Sequence, residues 1–479
     1  MKRRDFLKFG GASVATLSST ALVTGCAEEN AGNPDAFWRQ GNFPPVTEEV
    51  TVTNLAVEGS IPPDLNGYYY RNGPNSWKGP SRHFFFGDGM IHGVKLEDGN
   101  ASWYRNRYVQ TPFLYGESSN FKTAMDPAAN QSNVSVIYHG GKLLSLGEAG
   151  LPYVMDPEDL STKEAYDYQG KLAGAMTAHP KIDPVSGELL FFGYNAVKPY
   201  LTYYRVDASG KLVQKEVLET DGPALMHDFA ITENYVIFME LPIVFSWMAM
   251  ITGGALPFVW NDKAPCRIGV MPKTGSSKDL KWFDIDPAFV FHVMNAYEQG
   301  VNVVLDVARY DHLWVNGSSD FDYPARLSRY TLGMNSGASS LQEIGPQRME
   351  FPQINRGLTG RSYRYGYSLG VIVVGTGDNR HESIGSILKH DLQTGELQSF
   401  EVGDGAIPGE PFFVPSTTPG NEDDGYVLSY VYSPQTHNTS LWIMDAHNLS
   451  NVLAKVQLNA RVPQGFHGLW LPMEQLQAG

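Results

Sequence analysis

The sequence predicts an all-β protein, and an irregular β-propeller is the simplest form of it. Short apolar runs such as 189–192 and 371–374 alternate with turns rich in Asp, Gly and Pro, such as 183–187 and 391–395. Turn chemistry of this kind joins adjacent antiparallel strands. Few stretches keep a helical period for more than two turns, and strands at short intervals favour a propeller over a βα repeat. No fixed-period repeat identifies blades, so a pair of large β-sandwiches remains the alternative.

The first 25 residues are predicted to be an export signal. Arg3 and Arg4, followed by Asp-Phe-Leu-Lys, resemble a twin-arginine signal, and an apolar stretch of small residues comes next. Residues 23–26, Val-Thr-Gly-Cys, resemble a lipobox in which Cys26 is acylated. We therefore expect export by the twin-arginine route to a periplasmic or membrane-anchored lipoprotein.

The rest of the chain is expected to form one domain. Residues 26–45 are predicted to be an extended lead-in, and 46–479 a single domain, because no convincing linker follows. The formal net charge of −15 argues against nucleic acid and against an anionic membrane surface as an electrostatic partner. Cys26 and Cys266 are the only cysteines, so an acylated Cys26 leaves no internal disulfide and no cysteine metal site.

Residues 241–260 form an apolar segment of twenty residues without a charge. Its length would admit a membrane-spanning helix. Pro242, Pro257, the glycines at 253 and 254, and the β runs on both sides oppose that interpretation. A membrane-dipping or substrate-gathering patch at a tunnel mouth is favoured, and a helical cap buried on the propeller is the alternative.

Four histidines, His179, His227, His292 and His467, stand beside predicted strand ends. If their imidazoles converge, they form a metal site, since neutral imidazole binds iron as well as zinc. Carboxylates in apolar or Gly/Pro settings are costly when unpaired and suit the outward N–H groups of such ligands; the candidates are Glu148, Glu350 and Glu410. Solvated turn acids are the alternative for these three. The other histidines are expected to be structural or superficial: His83, His92, His139, His312, His381, His390, His437 and His447.

From about Asn33 to Pro472 the chain resembles the carotenoid cleavage oxygenases, the superfamily of retinal pigment epithelial membrane protein and lignostilbene dioxygenase. Each motif alone is weak, but their order along the chain is specific. The motifs are PPDLNG at 62–67, RNGPN at 71–75, FGDGMIH at 86–92, YRNRY at 104–108, MHDF at 226–229, His292 with Asn295 and Glu298, EFP at 350–352, GEP at 409–411 and GFHG at 465–468.

The resemblance implies a seven-bladed propeller capped by a dome of loops and short helices. A non-haem Fe(II) would be held by the four histidines named above, with Glu148, Glu350 and Glu410 orienting His227, His292 and His467 respectively. Phe291 and Phe351 would line an apolar tunnel for a long polyene. The implied reaction is cleavage of a C=C bond of a carotenoid or apocarotenoid by O2 into two carbonyl products. This reaction needs no external reductant, and the sequence has no convincing nucleotide-binding motif.

Two positions depart from the family pattern. Val134 stands where many relatives have a threonine beside the iron, and Gly147 stands where stilbene-cleaving members have a lysine. The second departure favours an apolar polyene over a phenolic stilbene. Stilbene cleavage, an iron-dependent isomerase or hydrolase, and a propeller that only binds an apolar ligand remain the alternatives. The expected partners are the polyene, O2 and a membrane surface, reached through the Cys26 lipid and the 241–260 segment.

Overall fold

Seven antiparallel blades, numbered 1–7, form the propeller in the described residues of the computed structural model, and blades 5 and 6 belong to one seven-stranded sheet. The structure describes residues 37–114 (except 80 and 82), 126–251, 256–315, 324–374 and 381–478. Within them, helix is confined to Trp247–Ile251, Met473–Ala478 and four single 3-10 turns. The propeller prediction is confirmed. The predicted signal and Cys26 lie outside the described residues.

Blades 1 and 7 are each built from both ends of the chain. In blade 1 the strand after His467 pairs with N-terminal strands, with Trp470 opposite Tyr69. In blade 7 the N-terminal strand Val57–Gly59 pairs with Val452–Gln457. This interlocking closes the ring. Blade 1 contains Gly468–Pro472, Gly67–Pro74, Gly89–Glu97, Asn100–Tyr108 and Thr51–Thr53; blade 7 contains Ile407–Pro408, Phe412–Pro415, Gly425–Ser433, Asn438–Asp445, Val452–Gln457 and Val57–Gly59.

Blades 2, 3 and 4 are regular four-stranded sheets in chain order. Blade 2 contains Ser135–His139, Lys142–Leu146, Tyr153–Met155 and Thr162–Ala165; blade 3 contains Lys181–Ile182, Leu189–Tyr194, Leu201–Val206 and Leu212–Leu218; blade 4 contains Ala230–Ile231, Tyr235–Glu240, Arg267–Pro272 and Lys281–Asp284. The short helix Trp247–Ile251 and the hairpin of Ile243–Phe245 and Phe258–Trp260 lie between the second and third strands of blade 4.

Blades 5 and 6 share one long strand, Ser339–Ile354. Its first part pairs with the strand before it, up to Arg348, and its second part pairs with the strand after it, from Met349. The two blades are therefore continuous in hydrogen bonding. Blade 5 contains Phe289–Gln299, Asn302–Tyr310, Arg326–Gly333 and Ser339–Ile354; blade 6 contains Ser339–Ile354, Tyr365–Val374, His381–Asp391 and Leu397–Glu401.

The predicted Asp-to-Gly turns are formed as tight turns between neighbouring strands. In the turn at 391–395, the Asp391 carboxylate accepts the N–H groups of Gln393 and Thr394. Gly395 takes a φ of +77° and donates its N–H to the Asp391 carbonyl. An aspartate that caps the turn and a glycine free to enter the left-handed region explain why this pattern joins strands.

His390, in blade 6, provides a test of the packing of this blade. Its Nε2 lies 2.8 Å from Ser368 Oγ, and burial lowers the pKa of His390 from 6.5 to about 4. Below pH 6.5 the unfolded chain therefore takes up a proton that the folded protein excludes. The free energy of unfolding should fall by up to about 3 kcal/mol from this residue between pH 7 and pH 4.

We expect His390→Gln to remove this pH-dependent part and to keep a polar partner for Ser368. Urea unfolding at pH 7 and pH 4 measures the difference between wild type and variant. The exposed His437, changed to Gln, is the control and should leave the pH dependence as it is in the wild type. The prediction would be contradicted if the free energies of unfolding of His390→Gln and wild type differed by the same amount at pH 7 and pH 4.

Candidate metal centre

Four blades place one histidine each at the inner edge of the ring. His179, His227 and His467 come just before the first strands of blades 3, 4 and 1, and His292 lies within the first strand of blade 5. The first strands of the blades converge on the propeller axis, where they line a common cavity. The residues named in the sequence analysis therefore meet although up to 288 positions separate them.

The four imidazoles form one cluster, in which His179 and His292 each contact the three other rings. Ring centroids are 4.5 Å apart for His179 and His227, and 4.5 Å apart for His179 and His467. His292 lies 5.1, 5.2 and 4.9 Å from His179, His227 and His467. The Nε2 atoms of His179 and His227 are 3.0 Å apart. One nitrogen of each of His179, His292 and His467 lies within 4.8 Å of the others, and His227 adjoins this group through its contact with His179.

Three of the imidazoles have a carboxylate at the opposite nitrogen, Nδ1. Glu350 Oε2 lies 2.5 Å from His292 Nδ1, and Glu410 Oε1 lies 2.7 Å from His467 Nδ1. Glu148 Oε2 lies 2.9 Å from His227 Nδ1, off the direction of an ideal hydrogen bond. Each glutamate stands against the histidine with which the family resemblance paired it. The glutamates come from blades 6, 7 and 2, none of which supplies one of the four clustered histidines.

The carboxylates are themselves held by residues that sequence reasoning missed. The hydroxyl of Tyr310 donates to Glu350 Oε1 at 3.0 Å, and that of Tyr194 donates to Glu148 Oε1 at 2.8 Å. The amide of Gln353 donates to Glu410 Oε1 at 2.7 Å. Tyrosines in strands look like ordinary core residues, so no local signal identified them.

Phe351 explains how one strand serves two of these carboxylates. It takes a φ of +54°, in the left-handed region that side chains rarely adopt, and the pairing register shifts between Glu350 and Gln353. Glu350 can thereby bond His292 while Gln353, three residues later, reaches Glu410. Backbone strain of this kind is concentrated at functional sites.

Burial and the neighbouring charges set the protonation of the imidazoles. Burial, with the nearby rings, holds the pKa of His179 well below its usual value, and burial lowers the pKa of His467. Burial also favours neutral His292, but the Glu350 carboxylate outweighs it and raises the pKa of His292. Burial opposes ionisation of Glu350 and Glu410, and the adjacent imidazoles lower the pKa of both carboxyls below their usual value.

The arrangement fits a cation at the centre. An Nδ1–H that donates to a carboxylate leaves the lone pair on Nε2, so several lone pairs face each other. His292 Nε2 is buried without a hydrogen-bond partner among the described residues. Two ligands at right angles around a metal with bonds of about 2.1 Å are about 3 Å apart, which matches the 3.0 Å between His179 and His227. The set of ring nitrogens and glutamates is that of a metal site with oriented ligands.

Apolar rings cover one side of the imidazoles. Phe291 lies 5.1 Å from His227, and Phe351 lies 5.2 Å from His292, between ring centroids. Phe85 and Trp314 pack against Phe291 at 6.1 and 5.6 Å. Phe291 and Phe351 were predicted from the sequence, whereas Phe85, just before the motif at 86–92, and Trp314 were not.

Val134 and Gly147 flank the first two strands of blade 2. The carbonyl of Val134 accepts the N–H of His467, and its own N–H donates to Leu146. A Cβ added at Gly147 would come within 3.0 Å of Asn130 Oδ1 and the Ser132 nitrogen. A lysine at position 147 would therefore require its surroundings to move.

A polar cavity follows the axis next to three of the histidines. It is lined by the first strands of blades 1 to 6, and it contains His179, His292 and His467 together with Lys181 and Asp228. Among the described residues, Asp423, Asp424 and His447 form a second group with metal-ligand chemistry. There the Lys389 ammonium already lies 2.6 Å from Asp423 Oδ2 and neutralises it.

Known proteins share the sequence and the fold. Residues 43–472 match the family model of Retinal pigment epithelial membrane protein. The chain is 33% identical to a carotenoid cleavage oxygenase of Mycobacterium tuberculosis over 90% of this chain and 97% of the relative. It is 34% identical to a carotenoid 9,10(9',10')-cleavage dioxygenase of Crocus sativus over 91% of this chain and 89% of the relative.

Solved structures superpose over nearly the same length. A lignostilbene dioxygenase of Pseudomonas brassicacearum has a TM-score of 0.81 and 29% identity, over 89% of this chain and 96% of that one. A cobalt-substituted apocarotenoid oxygenase of Synechocystis has a TM-score of 0.78 and 27% identity, over 90% and 97%. That relative's site therefore accepts a metal. Family model, sequence relatives and structures agree, and the chain belongs to the family of retinal pigment epithelial membrane protein and the carotenoid cleavage oxygenases.

Proposed function

We propose that the protein is a non-haem Fe(II) dioxygenase that cleaves a C=C bond of a carotenoid or apocarotenoid with O2 into two carbonyl products. One observation carries the proposal. The imidazoles of His179, His227, His292 and His467 meet on the axis of a propeller whose named relatives are carotenoid cleavage oxygenases. Imidazole ligands suit iron, and a bound Fe(II) would supply O2 activation beside the alkene.

The chain's own residues have three tasks in this scheme. The histidines hold the metal through Nε2, and Glu148, Glu350 and Glu410 keep the rings in the required tautomer and orientation. The negative charges of these glutamates also offset the charge of a divalent cation in a buried site. Phe291 and Phe351 present apolar surface beside the rings. That surface favours a hydrocarbon chain and excludes water from the reacting bond.

Isotope labelling of anaerobically purified, Fe(II)-loaded protein tests the activity. With an apocarotenal and ¹⁸O2, we expect two shorter carbonyl products that carry the label, detected by mass spectrometry before exchange with water. A rearranged or hydrolysed product without label from O2 would instead favour the isomerase or hydrolase alternative. Absence of turnover across a panel of carotenoids and apocarotenals would count against the proposal.

Stilbene cleavage is the second candidate, because one of the superposed structures is a lignostilbene dioxygenase. Gly147 opposes this candidate, because the chain has no lysine at this position to bind a phenol. The crowded backbone around Gly147 also leaves little room for a side chain. A hydroxystilbene assayed beside the apocarotenal separates the two candidates. Faster cleavage of the stilbene would reverse their order.

We also propose that the protein works at a membrane surface through an apolar patch around Trp247–Ile251. Met248 and Ile251 are each 70% exposed in this short helix, and Trp247 is 44% exposed. Exposed apolar clusters of this kind insert into lipid or bind partners. No helix in the described part of the chain is long and apolar enough to span a bilayer. Export through Arg3 and Arg4 and acylation of Cys26 would place the patch beside a membrane.

We expect the double substitution Met248→Glu and Ile251→Glu to reduce binding to zwitterionic lipid vesicles at least tenfold. Burying one such side chain contributes roughly 1.5–3 kcal/mol, and a carboxylate resists transfer into the interface. Vesicle sedimentation of a chain that begins at residue 27 measures this without a lipid anchor. Val185→Glu, an exposed position in a turn of blade 3, is the matched control. Equal binding of all variants would remove the patch from the proposal.

A further inference from the structure

A ring of hydrogen bonds circles the axis at the level of the histidines, with one link at every blade boundary. Three links use a glutamate carboxylate, and the other four use backbone groups with or without the side chains of Ser135, Thr177 and Asp228. From blade 1 to blade 7 and back, the links are His467 N–H to Val134 O, Ser135 Oγ to Ala178 O, Thr177 Oγ1 to His227 O, Val293 N–H to Asp228 Oδ2, His292 Nδ1 to Glu350 Oε2, Gln353 Nε2 to Glu410 Oε1 and His467 Nδ1 to Glu410 Oε1.

Asp228 is the charged link on the side of the ring that contains three of the four histidines. It is next to His227 in the chain, and its side chain is 2% exposed. Its Oδ2 accepts the N–H of Val293, the neighbour of His292, at 2.8 Å. Its Oδ1 accepts the N–H of Phe229 at 2.8 Å. One carboxylate thus joins the backbones that carry His227 and His292.

Lys181 extends this connection to the third histidine. Its Nζ lies 2.7 Å from Asp228 Oδ1, and it is two residues from His179 at the start of blade 3. The lysine also balances the buried negative charge, which would otherwise be costly. Asp228 therefore contacts the segments of His179, His227 and His292 but touches none of the ring nitrogens that face the centre.

We propose that Asp228, held by Lys181, is a positioning residue that sets the spacing of His179, His227 and His292 and thereby the affinity for the metal. The inference rests on the proposed metal site and deepens it. The reason is geometric, since metal binding depends on ligand positions to within a fraction of an ångström. Hydrogen bonds to a charged, buried acceptor are among the strongest that hold such positions.

Asp228→Asn tests the proposal with little change of shape. The amide nitrogen cannot accept a hydrogen bond, so one of the two N–H groups, of Val293 or Phe229, loses its partner. Lys181→Met removes only the link to blade 3 and leaves both backbone links in place. We expect the Fe(II) dissociation constant to rise roughly ten- to a hundredfold for Asp228→Asn, as for other outer groups of metal sites, and at least about threefold for Lys181→Met.

The matched controls come from a second buried carboxylate that pairs with a cation and accepts backbone N–H groups, in blade 4. Glu240 Oε2 lies 2.7 Å from Arg267 Nη2, Glu240 Oε1 accepts the N–H groups of Asp221 and Gly222, and the two side chains are as exposed as those of Asp228 and Lys181. Glu240→Gln and Arg267→Met should lower the unfolding temperature of the metal-free protein but leave the Fe(II) dissociation constant within about twofold of wild type. Chelator competition measures affinity, and the electron paramagnetic resonance spectrum of the Fe(II)–nitric oxide adduct reports ligand geometry independently of turnover.

The outcomes separate this inference from the proposed function. Weaker binding and an altered spectrum in the Asp228 and Lys181 variants alone support positioning. If these variants are less stable but keep the Fe(II) affinity and the spectrum of the wild type, the positioning role is overturned and the proposed metal site is unaffected. If Asp228→Asn does not fold, Lys181→Met decides: a dissociation constant raised at least about threefold supports the proposal, and a smaller change overturns it. A wild-type protein that takes up no stoichiometric metal overturns both proposals.

Discussion

Replacing His292 by alanine is expected to abolish polyene cleavage and most of the Fe(II) content. The ring is central to the cluster, within 5.2 Å of the three other imidazoles, and its Nε2 is buried without another partner among the described residues. The substitution also leaves Glu350 buried without its imidazole. Loss of several kcal/mol of metal binding corresponds to a decrease of roughly a thousandfold or more in kcat/KM.

Metal analysis by mass spectrometry and single-turnover assays on an apocarotenal measure these two losses. His139→Ala is the control, because His139 is also largely buried but bonds the carbonyl of Gly187 in the neighbouring blade. It should cost stability and leave the iron content unchanged. A His292→Ala protein that keeps iron and turns over within tenfold of wild type would contradict the four-histidine site.

Glu410→Gln is expected to weaken both the metal site and the closure of the ring. The carboxylate accepts three hydrogen bonds: from His467 Nδ1 and Gln353 Nε2 at Oε1, and from Gly468 N–H at Oε2, each 2.7 Å long. A glutamine has one accepting oxygen, so its NH2 group must face one of these donors. Each lost bond to a charged acceptor costs about 1.5–3 kcal/mol. We expect a ten- to hundredfold loss of Fe(II) affinity together with a lower unfolding temperature.

Glu422→Gln separates the two effects. Glu422 also accepts several N–H groups, those of Arg364 and Tyr365, but it does not contact a histidine of the cluster. Calorimetry should show destabilisation by both substitutions, and chelator competition should show weaker Fe(II) binding for Glu410→Gln alone. Equal affinities of the two variants would remove the role of Glu410 in orienting His467.

Local patterns were reliable wherever structure depends on neighbouring residues. The turn at 391–395 forms through contacts between residues up to four positions apart. The apolar runs 189–192 and 371–374 lie within the strands Leu189–Tyr194 and Tyr365–Val374, as their composition predicts. The structure of the 241–260 segment was harder to predict from local patterns, because it contains a hairpin and a short helix rather than one element.

The outer support of the site was not visible in the sequence. The hydroxyl of Tyr194 reaches Glu148 across 46 positions, that of Tyr310 reaches Glu350 across 40, and Gln353 reaches Glu410 across 57. Each pair joins two neighbouring blades. Tyr194 and Tyr310 resemble many other core tyrosines of this chain, so only the packing of the blades distinguishes them.

The sequence by itself determined the family, through the order of its motifs, and the all-β class, through its short apolar runs and turns, and it named the four histidines as candidate ligands. These features depend on residue type and local period, which a sequence displays directly. Only the tertiary structure decided that seven blades close through both chain ends, and that Asp228 and Lys181 join three histidine segments. Such contacts arise where inner strands from distant parts of the chain converge on one axis, and no local pattern records the distance between them.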